Sequence, residues 1–176
     1  MRQQTVFILS LILLCSCATG LRVRKNNFIP IDGKFKGTFK NEAYLKKGKN
    51  PASSTILELF DIYLTKADTV HIYFDDKERL VVTFQGRLGN RFEIFDGRFR
   101  KRGFYEVFLR NKKIEIPPYF SIIYSSRDID RIRIGLTKDN NLIIDNKWAR
   151  DGNFFLFAAG GSGRFRCFFK SSNSTD

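Results

Sequence analysis

The sequence predicts an all-β fold: an antiparallel barrel-like or strongly curved sandwich of about nine to eleven strands with one short helix. Three observations predict it. Short runs with a period of two recur along most of the chain, turn-forming residues interrupt them, and a single window carries a helical period. The length of 176 residues suits one folded domain with appendages. Hydrophobic residues at 43% and charged residues at 28% are ordinary globular usage, which excludes a disordered, collagenous or multi-span membrane chain.

The domain is expected over residues 31–170, opening with a strand at Asp32-Gly33-Lys34-Phe35-Lys36-Gly37-Thr38-Phe39. Ile56, Leu59, Phe60 and Tyr63 then fall at i, i+3, i+4 and i+7. With Thr55 and Glu58 in capping-box order, they predict an amphipathic helix over 54–64. Val70, Ile72 and Phe74 share one strand face, and Leu80, Val82 and Phe84 another. Asp75-Asp76-Lys77-Glu78 turns the chain between them, so the two runs predict a hairpin.

The same alternation predicts a strand at 91–100, a turn at Arg102-Gly103 and a strand at 104–110. A turn at Asn111-Lys112 leads into Ile114 and Ile116, where Pro117-Pro118 stops the ladder. Ile132, Ile134 and Leu136 alternate with Arg131, Arg133 and Thr137, turn at Lys138-Asp139-Asn140-Asn141 and return through Leu142 and Ile144. A last hairpin is expected between 154–159 and 164–170, turning at Gly160-Gly161-Ser162-Gly163, where glycine accepts positive φ. Residues 171–176 are expected to be a disordered tail.

The N-terminus reads as an address. Arg2 precedes an apolar stretch from Val6 to Leu14, shorter than the roughly 20 residues a bilayer span needs. The stretch ends in Leu14-Cys15-Ser16-Cys17, which resembles the lipobox of bacterial lipoproteins. Cys17 fits better than Cys15, because Ser16 is small where Leu14 is bulky. The resemblance implies removal of residues 1–16, lipidation of Cys17 and a tether over 17–30; the alternative is a plain cleaved signal that leaves Cys17 unmodified. Three acyl chains on one residue make attachment effectively permanent, since each buried methylene contributes about 0.8 kcal/mol. Ala18, where an Asp marks inner-membrane retention in this family, implies the outer membrane. The basic run Leu21-Arg22-Val23-Arg24-Lys25 replaces the acidic run of surface-exported Bacteroidetes lipoproteins and favours a periplasm-facing position. Gly33-x-Phe35 is similar to the opening strand of lipocalin-type barrels. The C-terminal stretch, from Ile132-Arg133-Ile134-Gly135-Leu136 through Asp145-Asn146-Lys147-Trp148 to the Gly-rich hairpin, resembles small Bacteroidetes lipoproteins to which no activity is attached.

Chemistry is sparse. With His71 as the one histidine, a triad or a His-rich metal centre is not expected, and neither a metal nor a cofactor is assigned. After processing only Cys17 and Cys167 remain, and lipidation consumes the first, so no intramolecular disulfide is expected. Cys167 alternates with Phe165 and Phe169 as a buried small residue rather than a nucleophile. Gly160-Gly161-Ser162-Gly163 lacks the Lys-Ser/Thr of a phosphate-binding loop. Asp75, Asp76, Asp128, Asp130 and Asp145 stand mostly at turns, where Asp serves the backbone, and Asp128-x-Asp130 lacks a calcium-loop pattern. The aromatic runs at 91–95 and 104–109 supply apolar bulk for a core or for a ligand cavity.

The basic residues are more informative. Lys plus Arg number 31 against 18 acids, a formal charge of +13, and Arg98, Arg100, Lys101 and Arg102 cluster at one strand end. Arg131 with Arg133 and Arg164 with Arg166 each share the polar face of a strand and are the candidate ligand-binding set; the bland alternative is a solvated face. Guanidinium pairs suit phosphate or carboxylate groups. An envelope protein meets anionic glycan or lipid rather than nucleic acid. The sequence therefore reads as a lipid-anchored noncatalytic envelope module that binds an apolar or anionic ligand or a partner protein. The alternative is a periplasmic hydrolase of glycan or lipid working through turn carboxylates.

Overall fold

The computed structural model of the protein describes residues 28–49, 54–63, 66–87, 89–116, 124–155 and 157–172. The expected signal segment, Cys17 and most of the expected tether lie outside the described residues, as do Pro117, Pro118 and residues 173–176. The ten strands are β1 (Lys36–Lys40), β2 (Leu45–Lys49), β3 (Thr69–Phe74), β4 (Leu80–Gly86), β5 (Gly89–Phe95), β6 (Gly97–Phe99), β7 (Tyr105–Ile116), β8 (Tyr124–Leu136), β9 (Leu142–Phe154) and β10 (Phe157–Phe169). They form two antiparallel sheets, β1-β3-β4-β5 and β2-β10-β9-β8-β7-β6.

The apolar alternation places the core between the sheets. Val70, Ile72 and Phe74 pair with Phe84, Val82 and Leu80 in the expected hairpin. They face Tyr105, Val107, Ile132, Ile134, Ile144, Phe165 and Cys167 of the larger sheet in one buried cluster. The barrel does not close. One seam is stitched by a bridge between Phe39 and Ser171, but β7 to β10 run 12 or 13 residues against five to seven in the smaller sheet. The long strands outrun their cover and continue as a four-stranded arm. Phe28–Pro30, at the end of the expected tether, are docked: Phe28 packs on Phe104 and the Ile29 amide donates to the Leu136 carbonyl at 3.0 Å.

Three elements depart from expectation. The helix α1 spans only Ile56–Leu59. Its capping box is present, with the Glu58 amide donating to Thr55 Oγ1 at 3.1 Å, but Asp61 takes φ 58° and ends the helix, leaving Tyr63 62% exposed. Second, the strand expected at 91–100 is two strands, because the chain crosses between sheets at Asp96; the expected turn at Asn111-Lys112 is continuous strand. A bulge at Leu109 moves Arg110 onto the face that Tyr105 and Val107 occupy, so polar residues there line the arm rather than turn the chain.

The third departure is the last hairpin. Its turn lies at Phe155, with φ 52°, and Gly160-Gly161-Ser162-Gly163 is strand interior paired with residues 148–151. Packing explains two of these glycines. A Cβ on Gly163 would stand 2.4 Å from Trp148 Nε1, and one on Gly160 would stand 2.4 Å from the Asp151 Cβ.

Candidate anion-binding face

The outer face of the six-stranded sheet follows from register. Ile132, Ile134 and Ile144 point into the core, so Arg131, Arg133, Asp145 and Lys147 point out, and Phe165 and Cys167 likewise direct Arg164 and Arg166 outward. One row across the sheet reads Arg98, Glu106, Arg133, Asp145, Arg166, Lys47. The next reads Phe108, Arg131, Lys147, Arg164. All four arginines expected from sequence therefore share one face, with β9 interposed between the two pairs.

Two carboxylates organise the first row. Glu106 is fully buried and accepts from Arg133 Nε at 2.8 Å and from Arg100, with Arg131 at 3.3 Å and Arg98 at 3.7 Å. Burial alone would raise its pKa, but the hydrogen bonds from Arg133 and Arg100 and the charges of Arg133 and Arg131 hold it below the usual carboxylate range. Asp145 takes both Arg164, at 3.1 and 3.3 Å, and Arg166, at 3.0 Å. The solvated arginine patch is thus a half-buried ion network in which each carboxylate serves several guanidiniums.

In the second row Arg131 and Arg164 reach those same two carboxylates, but Lys147 does not. Lys147 stands between Arg131 and Arg164 on the adjacent strands and forms no ion pair among the described residues. Burial first, then the charges of Arg131, Arg164, Arg127 and Arg133, push its ammonium pKa down. Burial and the Arg133 charge likewise lower Arg131, against the pull of Glu106. Side chains on neighbouring strands sit about 5 Å apart, so three cations span about 10 Å, a suitable width for one or two phosphate or carboxylate groups. Lys147 and Glu106 were missed as site residues. Alternation from Ile144 places Lys147 outward, but only register sets it between two arginines.

Other candidates resolve into structural roles. His71 Nδ1 lies 3.0 Å from Thr38 Oγ1, half-buried on the face away from the core. Burial pushes the Cys167 thiol up to about 11. The Asp75 carboxylate accepts the Arg79 and Lys77 amides, and the Arg79 amide foremost holds it below its ordinary range. Asp128 and Asp130, both on β8, and Asp61, just after α1, converge on Arg110. Its guanidinium lies 2.6 Å from Asp130, 3.6 Å from Asp128 and 3.8 Å from Asp61. A mixed polar and apolar groove of about 1030 Å³ runs beside α1, lined by Asn41, Tyr44, Glu58, Tyr63 and Lys170 among others. Comparison with protein-family models, characterised proteins and solved structures gives no match.

Proposed function

We propose that this protein is a lipid-anchored, noncatalytic module of the bacterial cell envelope whose outer sheet face binds an anionic envelope ligand, the phosphate or carboxylate groups of a lipid or glycan. The observation that carries the reading is the row Arg131, Lys147, Arg164. Three cations stand on adjacent strands, the central one without a counterion among the described residues, beside two carboxylates already shared among six guanidiniums. Like charges held this close repel, and an anion bridging them replaces repulsion with charge-assisted hydrogen bonds. Attachment through Cys17 to the outer membrane, periplasm-facing, would bring the face within reach of such groups.

The test is retention on phosphatidylglycerol vesicles and on an immobilised polyuronate across a salt series. The parent chain should bind at least one of them, with retention falling as salt rises, because screening acts over about 8 Å at physiological ionic strength. Arg131→Gln/Lys147→Gln/Arg164→Gln should lose that retention, whereas Lys34→Gln/Lys36→Gln, on an edge strand of the other sheet or just before it, should keep it. Equal binding by parent and triple variant would end the reading.

A further inference from the structure

The two long outer strands of the large sheet have unequal edges. On one side β6 pairs with β7 only over residues 105–107, and the uncovered remainder of β7 carries the bulge at Leu109 together with Lys112, Lys113 and Glu115. A bulge and charges are the usual defences of an edge strand against pairing with another chain. On the other side β2 pairs with β10 only over residues 164–168. The rest of β10, Phe157-Ala158-Ala159-Gly160-Gly161-Ser162-Gly163, has a partner strand on one side only among the described residues, and it has no charge, proline or bulge.

Packing accounts for only part of this composition. Gly160 and Gly163 are forced by Asp151 and Trp148, but a Cβ on Gly161 would meet Trp148 at an ordinary 3.6 Å. Phe157 at the strand's start is 82% exposed. An open edge with an exposed aromatic at one end and glycines beside a half-buried tryptophan at the other has two complementary halves. Self-complementarity of that kind is what a two-fold interface requires.

We infer that residues 157–163 of β10 form a self-association site, pairing antiparallel with the same segment of a second copy of this chain to make one continuous twelve-stranded sheet. The backbone supports the phase. The Phe168 carbonyl accepts from the Tyr44 amide on the β2 side, so by alternation Ser162, Gly160 and Ala158 direct their N–H and C=O groups to the open side. Pairing centred on Gly160 uses all of them: Gly160 meets its own counterpart, Ala158 meets Ser162, and Phe157 meets Gly163, over which the Trp148 indole lies, so the ring would pack against the indole. Seven residues a side make a small interface, so association in the micromolar range is expected.

The test is register-specific crosslinking of the full chain in detergent, with Cys15→Ser and Cys17→Ser leaving the buried Cys167 as the one other thiol. Ala158→Cys/Ser162→Cys places two thiols opposite each other twice per dimer, at a Cα separation near 5.5 Å that a disulfide accepts. Ala158→Cys alone leaves them about 13 Å apart, four residues along a strand. Under mild oxidation the double variant should form about tenfold more disulfide-linked dimer than the single one, given that reach. Equal dimer from both variants, or none from the double variant while its thiols still react with maleimide, would overturn the inference.

Discussion

Glu106→Gln should be the most damaging conservative change in the larger sheet. The carboxylate is fully buried, yet Arg133, Arg100, Arg131 and Arg98 all gather on it. Replacing it by an isosteric amide preserves shape and one hydrogen-bond acceptor but removes the negative charge from the centre of four positive ones. Breaking a buried pair from one side costs about 3–5 kcal/mol. The arginines keep some water access, 16% for Arg131 and 26% for Arg133, so the lower end, about 3 kcal/mol, applies. For a domain of this size that is a fall in Tm of about 10–15 °C, measured by circular dichroism at pH 7.

The pH dependence supplies a second check. Because the folded Glu106 pKa lies below its ordinary 4.5, its contribution is complete above that value and disappears as pH falls through the folded pKa. The gap between parent and variant should therefore close in acid and be constant from pH 6 to 8. A variant within about 2 °C of the parent at pH 7, or a gap unchanged toward pH 3, would refute the role given to Glu106.

Lys147→Gln should move stability the other way: with no counterion among the described residues and several guanidiniums nearby, its removal should leave the unfolding free energy unchanged or raise it by a few tenths to about 1 kcal/mol, while anion retention falls. A clear loss of stability would show that Lys147 has a structural partner. Gly163→Ala should cost about 1–3 kcal/mol in urea denaturation because its Cβ meets the Trp148 indole at 2.4 Å, whereas Gly161→Ala, at 3.6 Å, should be nearly silent; equal costs would count against the strand placement of these glycines. Cys17→Ser should release the protein from membranes and abolish palmitate incorporation, and unchanged partitioning would remove the lipid anchor from the proposed function.

What the sequence determined by itself is whatever depends on neighbours along one strand. Alternation sent Val70, Ile72, Ile132, Ile134, Phe165 and Cys167 inward and the arginines outward, and Thr55 with Glu58 marked the start of the helix. Each of these is a local relation with a fixed period, legible without knowing what lies across the sheet. What needed the tertiary structure is whatever depends on register and strand length. Gly160–Gly163 looked like a turn because glycine permits one, but Trp148 and Asp151 on β9 are what require the missing side chains. Asn111-Lys112 looked like a turn because both are polar, but the bulge at Leu109 and the long pairing with β8 hold them in the ladder. The four arginines were assignable to a face, whereas their sharing of Glu106 and Asp145, and the Lys147 between two of them that has no ion pair among the described residues, follow from which residues oppose one another across four strands. Side-chain period is local to a chain; pairing partners are set by the global closing of loops, and that is where the chemistry of this face was decided.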